Sequence, residues 1–150
     1  MLDQQDLLQR FDFDLWANKR WLEALQKKVG VETDRAVFAH ILSASEIWLQ
    51  RCNGLSPSSM PVVAPNLAEL ERIRQGWTAV LTRSKEDPVI VFRRTNGEQH
   101  ELSLSQIAAH VLNHGTYHRG ELRGLCRARA DDEFPETDIG LWFMLVANRA

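Results

Sequence analysis

The sequence predicts an all-α protein: a four-helix bundle with a long crossover between helices 2 and 3, a small β-hairpin before helix 4 and a short C-terminal helix. Three observations carry this expectation. Four long stretches repeat their apolar residues at the three-and-four spacing of a buried helix face. A stretch of 13 residues rich in Gly, Ser and Pro, Asn53 to Pro65, separates the second of these from the third. Between the third and fourth the period changes to a β-branched run followed by Asn96-Gly97, a strong short hairpin signal. The 150 residues fit a single domain, 1–150, large enough to bury a core without staples.

The first helix is expected from Asp3 to Lys28, on a stripe of Leu8, Phe11, Leu15, Asn18, Leu22 and Leu25, with Lys27 and Lys28 at its C-terminal end and Gly30 as its stop. Asn18 is the polar member of that stripe, expected as a buried amide tying helices together or as a hydrogen bond near a site. The second helix runs from Thr33, read as its N-cap, to Cys52, with Val37, Ile41, Ala44 and Trp48 facing inward and His40 on their flank. The linker after it can extend about 40 Å against about 30 Å for a 20-residue helix, so helices 2 and 3 can run parallel. The third helix opens at Asn66, with Glu69 three residues on, has Leu67, Leu70, Ile73, Trp77 and Leu81 as its apolar face, and ends near Ser84.

After Asp87-Pro88, Val89 to Phe92 and Glu98 to Leu102 read as the two strands of the hairpin, with His100 exposed on the return strand. Ser103 and Gln106 form a capping box for the fourth helix, which runs to about Arg129 before Asp131, Asp132, Glu133 and Pro135 break it. Thr137 to Ala147 reads as a short fifth helix, its Trp142, Phe143 and Met144 either capping the bundle or meeting a second copy.

Composition excludes several classes. The chain is 44% hydrophobic and 25% charged, with a net charge of −2, so neither nucleic acid nor an anionic membrane surface is an expected partner. Two cysteines, Cys52 and Cys126, are too few for a disulfide framework or a paired-cysteine zinc site and read as reduced thiols in a cytoplasm. No run approaches the roughly 18 apolar residues of a membrane span. The motif set holds no glycine-rich phosphate loop and no serine nucleophile elbow.

The chemistry concentrates in the fourth helix. Ile107, Val111, His114, His118, Leu122 and Leu125 are spaced 4, 3, 4, 4 and 3, and read as its inward stripe, which places two histidines in the core one turn apart. Imidazoles in an apolar seam need partners for their nitrogens, and a divalent cation supplies them. His40, from the second helix, completes a three-histidine set that leaves positions open on the metal for water or substrate. The zinc-protease pattern is disfavoured, because Gly115 stands where that motif needs a glutamate. His110 is expected on a flank of the helix, with metal ligation or a hydrogen bond to a ligand as the alternative. Tyr117 is expected as a packed phenol and Glu121 as a solvated carboxylate, with a role as proton donor or base beside the site as the alternative for either; Arg119 and Arg123 are expected on the exposed face. No catalytic residue is assigned.

The segments HVLNHGTYHRGEL (His110 to Leu122), AHILSASEIWLQR (Ala39 to Arg51) and LWANKRWL (Leu15 to Leu22) resemble the motifs of the DinB/YfiT-like family of bacterial metal-binding four-helix bundles. The resemblance covers nearly the whole chain. It implies a metal held by His40, His114 and His118, a long crossover after the second helix, and a homodimer. Characterised relatives include thiol-dependent S-transferases and a maleylpyruvate isomerase, in which the metal activates a low-molecular-weight thiol. The residues after the second-helix histidine read Ser43-Ala44-Ser45, where the family frequently has another histidine or polar group. The leading expectation is thus a metal-dependent enzyme, with zinc or nickel, that activates a thiol or water against a small electrophile. A non-enzymatic metal-binding stress-response dimer and a metal-free structural role for the histidines stand as the alternatives.

Overall fold

The computed structural model describes residues 1–149. Four long helices, α1 (Gln4–Gln26), α2 (Glu32–Cys52), α3 (Leu67–Arg83) and α4 (Leu104–Ala128), form the bundle. The hairpin of β1 (Val89–Arg93) and β2 (Gln99–Ser103) precedes α4, and a short helix, α5 (Ile139–Leu145), follows it. Each expected element is present, with ends displaced by one or two residues.

Local chemistry sets most of those ends. The Asp3 carboxylate accepts the Asp6 N–H at 3.0 Å to open α1, and Asn66 Oδ1 accepts the Glu69 N–H at 2.9 Å to open α3. Ser103 and Gln106 cap α4 reciprocally, as expected. α2 differs. Its N-cap is Val31, which offers no side-chain acceptor, and Thr33 lies inside the first turn. Glu32 and Asp34 in that turn supply the negative charge that favours a helix N-terminus. In the hairpin, Val89 pairs with Ser103 and Phe92 with His100, and Gly97 takes the positive φ of 89° that its turn requires.

The pairings between helices fix their directions. Arg83, at the end of α3, donates to the Cys52 carbonyl and to Asn53 Oδ1 at the end of α2, and Trp77 donates its indole N–H to Ser45 Oγ at 3.0 Å. α2 and α3 are therefore parallel, which the long crossover allows. Asp34 pairs with Arg129 at one end of the α2–α4 seam while Trp48 meets His110 towards the other, so those two helices are antiparallel. α1 packs on α3 and α4, α2 packs on α4 and α3, and the other two pairs lie across the diagonals.

The core runs through Trp21, Phe38, Leu42, Trp77, Leu81, Leu104, Ile107 and Leu122, with Phe11 stacked on Trp77 at 4.8 Å. α4 contributes Leu104, Ile107, Ala108, Val111, Gly115, Arg119, Leu122 and Cys126 to the interior. This corrects the expected stripe: at 114 and 118 the inward positions are taken by the next residues, Gly115 and Arg119. Arg119, expected outside, is 3% exposed, donating from one terminal nitrogen to Asp14 Oδ1 and Asn18 Oδ1, both at 2.8 Å. Asn18 is thus the buried amide that ties α1 to α4. Tyr117, expected packed, is 73% exposed. α5 caps the bundle from the side, with Trp142 edge-on to Phe13 of α1 at 5.9 Å. No helix among the described residues is long and apolar enough to cross a membrane.

Candidate metal centre

A turn of about 100° per residue separates His114 and His118 from the buried Gly115 and Arg119, and it swings both rings out of the core to the seam facing α2. There they meet His40. His40 Nε2 lies 3.1 Å from His114 Nε2, and the ring centroids of His40 and His118 and of His114 and His118 are 4.8 and 4.4 Å apart. One nitrogen from each of the three falls within 4.8 Å of the others. The structure therefore brings together all three residues that the sequence nominated, from two helices and across 74 residues of chain. It also moves the cluster. His114 and His118 are half-buried and His40 is exposed, so the centre opens on the surface of the seam rather than in the interior.

The donor set fits a single cation. Bonds of 2.0–2.1 Å in tetrahedral geometry place neighbouring nitrogens about 3.3 Å apart, close to the His40–His114 separation, and the His118 nitrogen lies within 4.8 Å of the other two. His118 is already oriented for this: its Nδ1–H donates to Glu121 Oε1 at 2.9 Å, which leaves Nε2 free as a donor to metal. Glu121, expected as a solvated carboxylate or as a proton donor or base beside the site, is exposed and bonds the His118 ring. Its position three residues after His118 was the signal in the sequence.

Electrostatics favour the neutral form of two of the rings, His114 and His40. His114 is pushed down to about 4, first by burial and then by its three histidine neighbours, His118, His40 and His110. His40 is also lowered, first by partial burial of its ring and then by His118, with Glu121 opposing. Neutral imidazole is the metal-ligating form. His110 is exposed, as expected of a flank position, and lies 5.6 Å from the His114 ring and 5.4 Å from that of Trp48. His100 is exposed on β2, where its ring meets the Glu98 carboxylate. A cavity of about 490 Å³ lies elsewhere, on the opposite face of α4, between Phe13, Thr116, Arg123 and Ile139.

Comparison with known proteins places these residues in context. The profile of the DinB family matches residues 3–129, a span that contains all three histidines and the whole bundle. Protein DinB of Bacillus subtilis (strain 168) is 24% identical over 160 aligned residues, which cover 90% of this chain and 92% of that protein. No solved structure matches.

Proposed function

The chain belongs to the DinB family, and from that premise we propose that it is a metal-dependent enzyme whose ion, zinc or nickel, is held by His40, His114 and His118. The observation that carries this reading is the convergence of three imidazoles, two with lowered proton affinity and one oriented by a carboxylate, at a point open to solvent. A divalent cation held by three neutral nitrogens supplies an undiminished positive charge that lowers the pKa of a thiol or a water brought against it.

The protein's own residues prepare the site. Glu121 fixes the tautomer and the angle of His118. The buried Arg119–Asp14–Asn18 bonds set the rotation of α4 that presents both of its histidines to α2. The exposed edge at His40 leaves room for a small electrophile to approach, which a site serving structure alone would not need. Activation of a low-molecular-weight thiol for attack on such an electrophile is the reaction we favour. The reading extends to a cytoplasmic homodimer, for which sedimentation should give twice the chain mass of 17.2 kDa.

The test begins with the untagged protein and its metal content. One equivalent of zinc or nickel per chain is expected, together with conjugation of glutathione, bacillithiol or mycothiol to a generic aromatic electrophile. His114→Ala should abolish both. A protein that purifies and reconstitutes without metal overturns the reading; tight metal binding with no turnover of any thiol overturns its enzymatic part.

A further inference from the structure

A buried guanidinium on α2 has no counter-charge among the described residues. Arg51, at the C-terminal end of α2, is only 7% exposed, and its Nε is shut off from solvent without a hydrogen-bond partner. The other buried arginine, Arg119, rests on the Asp14 carboxylate. Arg51 rests on rings instead, 4.4 Å from the centroid of Trp48 and 5.1 Å from that of Phe92. The charge that bears on it most is another cation, Arg94, whose own partner is the exposed Glu98. Cation–π contact recovers part of the lost hydration, but a buried charge is normally matched by an opposite one. Among the described residues no carboxylate pairs with it.

The location suggests what does. The guanidinium folds back over Trp48, towards the histidine end of α2. From Trp48 a row of rings continues along the seam to His110 at 5.4 Å and on to His114 at 5.6 Å. About 16 Å of helix axis separates residues 40 and 51, and the backward fold of the side chain shortens the distance to the metal centre. With Nε sealed, the two terminal nitrogens remain, a planar fork that matches the paired oxygens of a carboxylate.

We propose that Arg51 receives a carboxylate of an elongated acidic ligand that lies along the Trp48–His110 wall and reaches the three-histidine centre with its other end. This names the ligand class for the site in the proposed function and rests on that reading for the far end only. The Arg51 end needs no metal.

The experiment follows the Arg51 Nε–H resonance, observable because the group is sheltered from exchange, in the isotope-labelled full chain. Three probes are titrated into metal-free and zinc-loaded protein: S-methylglutathione, which keeps the carboxylates and blocks the sulfur, glutathione itself, and glutathione diethyl ester. S-methylglutathione should shift the resonance saturably in both forms, and the diester should bind about tenfold more weakly or worse. Glutathione should bind the zinc-loaded form tighter than the metal-free form. Arg51→Met should weaken S-methylglutathione by a similar factor with zinc content unchanged; if that variant does not fold, the acid–ester comparison on the native sequence decides. Equal response to acid and ester, or no saturable shift with S-methylglutathione, overturns the proposal while leaving the metal reading intact. Failure of zinc to bind, with the acid–ester difference preserved, does the reverse.

Discussion

Which nitrogen of His118 faces the centre is decided by a single hydrogen bond to Glu121. Carboxylates in that position raise the basicity of the ring and restrict its rotation, and their loss costs about 10- to 100-fold in metal affinity. Glu121→Gln should therefore weaken zinc about tenfold in competition with a chromogenic chelator, with the melting temperature of the metal-free protein unchanged, because the side chain is exposed. His114 sets a pH dependence of its own. Its folded value of about 4 lies below the ordinary imidazole value of 6.5, so between those limits the unfolded chain takes up a proton that the folded metal-free protein refuses. Stability is thus full above about pH 6.5 and falls as pH drops towards 4, by on the order of 1–2 kcal/mol once solvent screening of a half-exposed ring is allowed for. Urea titrations of metal-free protein across that range, compared with His114→Ala, should isolate the contribution. The three histidines were legible because their type and spacing restrict what they can do. Arg119 was not: a charged residue between polar neighbours reads as solvent-facing, and only its pairing with Asp14, 105 residues away, makes burial affordable.

At the scale of the element, the two faces of α4 do different work and Gly115 stands on the line between them. A Cβ there would lie 2.8 Å from Asp14 Oδ1 and 3.0 Å from an Arg119 terminal nitrogen, so α1 approaches α4 closely only because the side chain is absent. Gly115→Ala should cost about 1–3 kcal/mol through strain on that buried pair and should also turn the histidines away from His40. Gly120→Ala is the matched control. Its Cβ meets nothing within 4 Å, and the change should stabilise by about 0.5–1 kcal/mol through helix propensity alone. Chemical denaturation of both variants, with zinc affinity measured alongside, distinguishes the two mechanisms. The expected stripe on α4 was displaced by one residue at 114 and 118 because an apolar-plus-histidine pattern and a glycine-plus-arginine pattern share the same spacing. Periodicity gives a helix its period but not which polar residues are satisfied inside.

At the scale of the molecule, the three-histidine cluster joins α2 and α4, which are otherwise clamped at the opposite end of their seam by the Asp34–Arg129 pair. A cation held by both helices stabilises the folded chain by its binding free energy, about 2.7 kcal/mol when free metal is a hundredfold above its dissociation constant. Chelation should lower the melting temperature by several degrees, and the difference should vanish in His40→Ala, because a metal on α4 alone no longer bridges two helices.

The sequence by itself determined the four long helices, the crossover, the hairpin and the identity of the three histidines, because caps, turn glycines and apolar period are local properties that a few neighbouring residues satisfy. It also determined the family motifs along the bundle. Only the tertiary structure decided which faces of α2 and α4 meet, that the histidines open to solvent instead of the core, and that Arg51 is left without a counter-charge among the described residues. Those outcomes depend on helix rotations, and the rotations are set by contacts between residues far apart in the chain, where the buried Asp14–Arg119 pair and the glycine between them outweigh the hydrophobic pattern.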